Sequence, residues 1–158
     1  MTIVMRSFVI VLFTLLCVPL FFLSAQQQPS PNPAPQIYQG RLGITVTGFE
    51  KVQKWDMFHS GYELKPTDNE DLIVMKFKIK NIQTGEEDVG EKHVNLDIEE
   101  LKDFELEDTQ GNKYPSPVIN TNYREVPFTI PKGTKLKFFR IVGLTFDIQS
   151  LAKSLDKK

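Results

Sequence analysis

The residues of this 158-residue chain that are best suited to chemistry are few and scattered. Covalent catalysis needs a nucleophile beside a base, and the only two histidines are His59 and His93. His59 precedes Ser60 directly in a segment of loop composition, but no serine of the chain lies in a nucleophile-elbow pattern. The single cysteine, Cys17, lies in an apolar N-terminal run. We therefore predict that the protein is not an enzyme.

The histidine, cysteine and acidic residues of the chain give little support for a metal site. Zinc sites need closely spaced histidine, cysteine or carboxylate ligands, and two distant histidines do not supply them. Calcium needs several oxygens that converge from one flexible loop, and acidic residues cluster at 86–88 and again at 97–100. Neither cluster has the spacing of a known calcium loop, so a solvated acidic loop is the simpler interpretation. We predict no metal and no cofactor.

Three aromatic residues form the remaining candidate contact site. Trp55, Phe58 and Tyr62 fall within eight positions of one another, near His59. Aromatic platforms bind sugars and peptide partners, so these three residues are predicted as possible ligand contacts. The alternative is that Trp55 closes one end of the hydrophobic core.

The elements that position these residues have a two-residue period. Ile44, Val46 and Gly48 alternate with threonines, which favours a strand. In the stretch 72–81, one face carries Ile73, Met75, Phe77 and Ile79, and the other carries Val74 and three lysines. This separation predicts a strand of an antiparallel sheet with one buried face and one wet face.

Further strands follow toward the C-terminus. Phe104 and Leu106 alternate with acidic residues, and the turn-forming sequence 108–112 comes next. A turn at 131–133 leads into the apolar stretch 136–148, where Leu136, Phe138, Val142, Leu144, Phe146 and Ile148 share one parity. Arg140 interrupts this parity, which predicts a bulge or strand break near Gly143. About six to eight short strands, with no sustained helical period, predict an all-β, immunoglobulin-like antiparallel β-sandwich.

Two charged stripes extend along these strands. Lys76, Lys78 and Lys80 form a basic stripe, and Asp103, Glu105 and Glu107 form an acidic one. If the two strands are neighbours, the stripes form cross-strand ion pairs. If they lie in opposite sheets, the domain carries a basic and an acidic face that could steer a charged partner. Plain solvated faces are the third alternative.

The order of four segments resembles the DUF4352 family. The segments are VMKFKIKN (74–81), FELEDTQGNKY (104–114), PKG (131–133) and GLTFDI (143–148). The resemblance covers roughly 42–148 and rests on structural motifs. It implies an exported immunoglobulin-like domain, and it implies no activity and no functional residues.

The N-terminal 36 residues have the composition of targeting and linker segments. Residues 1–25 are predicted to be a signal peptide, with Arg6 before an apolar run (8–23) and Ala25 at the cleavage position. An uncleaved anchor is one alternative, because Leu23 is bulky at the −3 position. A lipoprotein attached through Cys17 is another, although Leu16 is not the small residue that lipidation needs. All three place the domain outside the cytoplasm, secreted, periplasmic or membrane-anchored.

Residues 26–36, QQQPSPNPAPQ, are predicted to be a proline-rich linker. Proline fixes φ and favours an extended polyproline II conformation, so a stiff spacer is expected. A ligand for an aromatic groove is the alternative. The sandwich is expected to occupy 37–150, and the tail 151–158 is expected to include one amphipathic helical turn with Leu151 and Leu155.

The function predicted from these features is a non-catalytic exported interaction module that binds a protein partner. The alternative is a carbohydrate- or cell-wall-binding domain that uses Trp55 and Tyr62. A net charge of −1 gives no support for nucleic-acid binding, which needs a basic excess. Membrane contact is expected only through an uncleaved leader. The identity of the partner and the oligomeric state do not follow from the sequence.

Overall fold

A computed structural model of the chain describes residues 32–57, 61–96, 101–117 and 124–155, with side chains described as far as Lys153. These ranges contain ten strands and one helix. The elements in chain order are β1 Gln36–Tyr38, β2 Leu42–Val52, β3 Trp55–Asp56, β4 Glu63–Leu64, β5 Glu70–Asn81, β6 Glu105–Asp108, β7 Lys113–Pro115, β8 Glu125–Pro131, β9 Leu136–Ile141, β10 Leu144–Asp147 and α1 Gln149–Leu155. The predicted signal peptide and most of the predicted linker lie outside the described residues.

The strands form two antiparallel four-stranded sheets and a separate two-stranded hairpin. The first sheet has the order β1-β2-β5-β8, the second has the order β10-β9-β6-β7, and the hairpin joins β3 and β4. β2 and β5 form the longest pairing, from Leu42 opposite Asn81 to Val52 opposite Leu72, with a bulge between Val46 and Gly48. The strands predicted at 44–48, 72–81 and 104–107 are therefore confirmed.

The core between the two sheets is built around one phenylalanine. The ring of Phe139 lies 6.2–6.5 Å, centroid to centroid, from the rings of four other buried phenylalanines. These four are Phe77, Phe104, Phe128 and Phe146. They come from both sheets, and their burial confirms an aromatic core between two packed antiparallel sheets, consistent with a β-sandwich.

The face of β5 that was predicted to be exposed to solvent is exposed only in part. Leu72 and Val74 point away from the main core, yet both are buried in a second cluster with Trp55. The β3–β4 hairpin brings Trp55 and Leu64 over this end of the strand. The prediction of a single buried face is thus wrong at 72–74, because a short hairpin covers the outer face there.

The single parity predicted for 136–148 is also wrong. Glu107 pairs with Phe138 while Asp108 pairs with Leu136, so Lys137 is the extra residue of a bulge. After this bulge Phe139 and Ile141 face the core, and Phe138 lies half-buried on the outer face. The predicted strand break near Gly143 is confirmed as the two-residue turn Val142–Gly143, and both of its residues have positive φ.

Side chains and the helix close the sandwich at its edges and at one end. On one side the Gln36 amide donates to the carbonyl of Thr145, and on the other the Ser116 hydroxyl donates to the carbonyl of Pro127, 2.8 Å away. Asp147 accepts from the backbone N–H of Gln149 and so caps α1. Leu151 of α1 packs into the core, which confirms a helical turn in the tail.

The turn between β6 and β7 is organised by Asp108. Its buried carboxylate accepts from the backbone N–H groups of Gln110 and Asn112 at 2.8 and 2.9 Å, and from the Tyr114 hydroxyl at 3.0 Å. Burial alone would raise the pKa of Asp108, but hydrogen bonds, led by those from Asn112, outweigh it and lower the pKa from 3.8 to about 2.

Candidate functional site

The three aromatic candidates do not share one described surface. Trp55 is only 7% exposed, because it packs on Leu72 and Val74. Tyr62 is 43% exposed, and its carbonyl accepts a hydrogen bond from the N–H of Met57 at 3.0 Å. Phe58 lies outside the described residues, as do His59 and Ser60. Ligand contact through these residues therefore stays a prediction, and the burial of Trp55 favours its alternative role in packing.

The two charged stripes lie in opposite sheets, but neighbouring residues neutralise much of each. In the first sheet, Lys76 lies 2.9 Å from Glu50, and this hydrogen bond raises the pKa of Lys76. In the second sheet, Arg140 contacts both Glu105 and Glu107, and Lys113 lies 3.1 Å from Glu105. The two stripes thus form local ion pairs on the two outer faces, and they do not support the steering of a charged partner.

The segment that follows β5 is held in place by side-chain hydrogen bonds. We call residues 82–92 the 82–92 loop. It begins with a turn in which the Asn81 side chain accepts from the N–H groups of Gln83 and Thr84. The chain then returns beside β5, with a bridge between Lys80 and Glu87. This return extends the first sheet along the part of β5 beyond its last β8 pair, Lys76 with Glu125.

Asp88 fills the gap that is left between β8 and the returning loop. The Ile79 N–H donates to Oδ2 of Asp88 at 2.7 Å, and the Val94 N–H donates to Oδ1 at 2.8 Å. The Asp88 backbone N–H in turn donates to the Ile79 carbonyl. The carboxylate therefore satisfies two main-chain donors that pair with no strand of the described residues.

Arg124 neutralises the Asp88 carboxylate with a bidentate pair. Its Nε lies 2.9 Å from Oδ2 and its Nη2 lies 3.2 Å from Oδ1, and Nη2 also donates to the Val94 carbonyl at 2.7 Å. Both side chains are buried, at 3% and 5% exposure. Arg124 has a φ of +57° where β8 begins, and its carbonyl accepts from the Phe77 N–H. The pair thus joins the loop to the end of β8.

His93 and a small cavity lie beside this ion pair. Nδ1 of His93 lies 3.5 Å from Oδ1 of Asp88, beside a cavity of about 180 Å³. Asp88 is committed to Arg124 and two backbone donors, so Glu86, Glu87 and Asp88 do not converge on a common point. Over the described ranges, no group of three histidine, cysteine or acidic residues could hold a metal ion. The second acidic cluster, 97–100, lies outside those ranges.

The surface beside the 82–92 loop carries exposed aliphatic side chains. Ile37 of β1 pairs with Gly43 of β2 and is 59% exposed. Ile82 is 42% exposed, and its Cγ2 lies 3.6 Å from the point that a Gly43 Cβ would occupy. We call Ile37 and Ile82, on either side of Gly43, the apolar patch. Val89, 62% exposed, lies farther along the same loop.

Sequence reasoning missed the pairing of Asp88 with Arg124. The sequence favoured a solvated acidic loop at Asp88, with calcium binding as the alternative, and it indicated no partner for Arg124. The two are 36 positions apart, so no local period connects them. The strand lengths do give one indication. A long strand such as β5 beside a shorter partner such as β8 leaves backbone N–H groups unpaired, and a nearby carboxylate can accept their hydrogen bonds.

Comparison of the chain with protein-family models, curated proteins and solved structures finds no match. The resemblance to the DUF4352 family therefore stays a prediction. Within the described residues, no helix has the length and apolar composition that crossing a membrane requires.

Proposed function

We propose that the protein is a non-catalytic interaction module that acts outside the cytoplasm and binds a protein partner through the apolar patch and the adjoining 82–92 loop. The observation that supports this proposal is the exposure of Ile37 and Ile82 on one sheet face, on either side of a glycine. Exposed aliphatic residues that lie together, rather than singly, favour an interaction site.

The way in which the patch is held supports the same proposal. The buried pair of Asp88 and Arg124 fixes the loop, so the apolar groups are presented with little conformational freedom left to lose on binding. The Lys80–Glu87 pair borders the loop with charged groups, 3.5 Å apart. An apolar centre with a polar rim is the usual composition of a protein interface.

The sheet edge beside the patch offers a second mode of contact. β1 is the end strand of the first sheet over the described residues, and it carries Ile37. A partner segment can add to such an edge through main-chain hydrogen bonds and place side chains against the neighbouring pockets. The edge is short, three residues, which limits non-specific pairing.

We also propose that the fold is immunoglobulin-like and that the protein is located outside the cytoplasm. The face-to-face antiparallel sheets support an immunoglobulin-like sandwich. Among the strands of the two four-stranded sheets, the third in chain order, β5, lies in the first sheet, whereas the third strand of an immunoglobulin constant domain lies in the second. The proposal therefore concerns the sandwich architecture, which such domains share more widely than their strand order. The composition of residues 1–25 supports export.

The alternative function, carbohydrate or cell-wall binding, would use Trp55 and Tyr62. Stacking on a sugar needs the face of an exposed ring. Tyr62 offers one, while Trp55 is covered by its own cluster. The described geometry therefore favours the protein partner.

Capture of partners from the host with tagged full-length protein tests the proposal. We expect a discrete partner whose recovery falls at least about tenfold in the double variant Ile37→Glu/Ile82→Glu, as for a patch that contains binding hot spots. Tyr62→Glu is the matched control, because it also places a carboxylate at an exposed hydrophobic site. Equal recovery with both variants would rule out the patch, and loss only with Tyr62→Glu would place the contact with the partner at Tyr62 instead.

A further inference from the structure

The end of the sandwich that α1 covers contains an open cleft. Between α1 and the ends of β2, β5 and β9 is a cleft of about 600 Å³, which we call the helix cleft. This volume is within the usual range for small-molecule sites.

The apolar part of the helix cleft belongs to the margin of the main core. Leu136 is buried, and Phe49 and Ala152 are half-buried against the core cluster. All three line the cleft. A ligand with a short apolar portion could therefore cover aliphatic and aromatic surface that is now in contact with water.

The polar part of the cleft is strongly biased toward positive charge. Its lining contains the lysines Lys51, Lys135 and Lys153, against the single carboxylate of Asp71. Lys51 lies 2.6 Å from Asp71 and is neutralised by it. Within the described residues, Lys135 and Lys153 form no ion pair, so the described lining of the cleft carries two more positive charges than negative ones beside its apolar part.

The position of the Lys51–Asp71 pair shows why this end of the sandwich is open. Lys51 pairs with Ile73 in the sheet, and Asp71 pairs with Ile130, so both charged residues share a face with core residues. The inner face of the first sheet thus becomes polar at its last positions. An inward-facing ion pair cannot be sealed under apolar groups without a large desolvation cost, so the cleft stays accessible to solvent.

We propose that the helix cleft binds an anionic ligand that carries a short apolar portion, such as a carboxylate or phosphate with an alkyl group. The anionic group contacts Lys135 and Lys153, and the apolar portion covers Phe49, Leu136 and Ala152. This site is distinct from the apolar patch, and neither proposal depends on the other.

Calorimetric titration of the protein, purified in the form that its cell produces, with sodium octanoate, 1-octanol and sodium acetate tests the proposal. We expect octanoate to bind at least about tenfold more tightly than either of the other two, since octanol lacks the charge and acetate lacks the chain. In two-dimensional NMR spectra, octanoate should shift the Ala152 methyl and Gly133 amide signals. Absence of binding, or equal affinity for octanoate and octanol, would overturn the proposal.

Charge reversals assign the binding to the cleft. Lys135 lies outside α1, so its substitution does not alter the helix sequence. Lys135→Glu should weaken octanoate binding about tenfold. Lys153→Glu is the second variant. Lys102→Glu is the matched control with no expected change, because Lys102 is exposed and does not line the cleft. Equal effects of Lys135→Glu and Lys102→Glu would overturn the assignment. Flotation with phosphatidylglycerol vesicles separates two sources of the ligand. If the protein floats with the vesicles and Lys135→Glu abolishes this flotation, the ligand is a membrane lipid. If the protein binds octanoate but does not float with the vesicles, the ligand is a soluble molecule.

Discussion

Nε of Arg124 lies 2.9 Å from Oδ2 of Asp88, and both side chains are buried beside the core. The contact joins two parts of the chain, the 82–92 loop and the start of β8, that do not pair through their backbones. The same carboxylate also satisfies the N–H groups of Ile79 and Val94. One aspartate therefore completes a sheet edge and fixes the loop that borders the proposed binding surface.

Removal of the Asp88 carboxylate should strongly destabilise the domain. We expect Asp88→Ala to lower the free energy of unfolding by about 3–5 kcal/mol, because it leaves the Arg124 guanidinium buried without a counter-charge. Urea unfolding followed by circular dichroism measures this change. Glu87→Ala is the matched control: its carboxylate is 54% exposed and pairs with Lys80 across 3.5 Å, so its loss should cost no more than about 0.5 kcal/mol. Similar losses in the two variants would contradict the buried pair.

The sequence predicted the long strands because their burial alternates over many residues. In β5 the lysines at 76, 78 and 80 separate the core residues so regularly that no other element fits. The same logic failed at Leu72 and Val74, because the β3–β4 hairpin, which belongs to neither four-stranded sheet, packs over the second face. It failed again at Phe138, because the bulge at Lys137 that shifts the register has no local sequence signature.

Substitution at Gly43 tests the geometry of the apolar patch. A Cβ there would lie 3.6 Å from Ile82 Cγ2, an ordinary contact, and the backbone φ of Gly43 is not positive. Gly43→Ala should therefore stabilise the domain by about 0.5–1 kcal/mol through a smaller entropy loss on folding. Gly111→Ala, at a φ of +88°, should instead destabilise it by about 1 kcal/mol. Thermal unfolding of both variants compares them, and destabilisation by Gly43→Ala would show that the patch is packed differently.

Two adjacent phenylalanines test the bulge in β9. Phe139 is fully buried at the centre of the aromatic core, so Phe139→Ala should cost about 3–5 kcal/mol. Phe138 lies on the outer face, with Lys137 Nζ 4.7 Å from its ring centroid, and Phe138→Ala should cost about 1 kcal/mol. Denaturant unfolding gives both values. A larger cost for Phe138→Ala would mean that the register without the bulge is correct.

Acid should weaken the fold through Asp108. Its pKa is lowered from 3.8 to about 2 in the folded state, so its contribution to stability is complete above the unfolded pKa. That contribution is lost as the pH falls from about 4 toward about 2, where the folded carboxylate takes up its proton. In urea unfolding over this interval, Asp108→Asn should lose less stability than the unaltered protein. Parallel losses would show that Asp108 does not titrate in this way, and carboxyl-carbon NMR of Asp108 gives the pKa directly.

The candidate site was less accessible to sequence reasoning than the fold. Ile37 and Ile82 are far apart in sequence, and they flank Gly43 only when β1 and the 82–92 loop pack on either side of β2. The helix cleft likewise brings together Lys51 of β2, Lys135 of the turn before β9 and Lys153 of α1. Trp55 was predicted as a contact because it is aromatic and lies close in sequence to Phe58 and Tyr62, whereas its burial depends on the β3–β4 hairpin. Each of these features depends on long-range contacts, which period and composition do not encode.

The most direct test of the proposed interaction surface is photo-crosslinking in the native host. A photoreactive phenylalanine analogue is placed at position 82 in one strain, at position 37 in a second and at position 110 in a third. Gln110 is an exposed residue of the β6–β7 turn in the other sheet, so it serves as the control. We predict one discrete protein adduct that is shared by positions 37 and 82 and missing at position 110. Adducts of equal yield at all three positions, or none at 37 and 82, would contradict the proposed interaction surface.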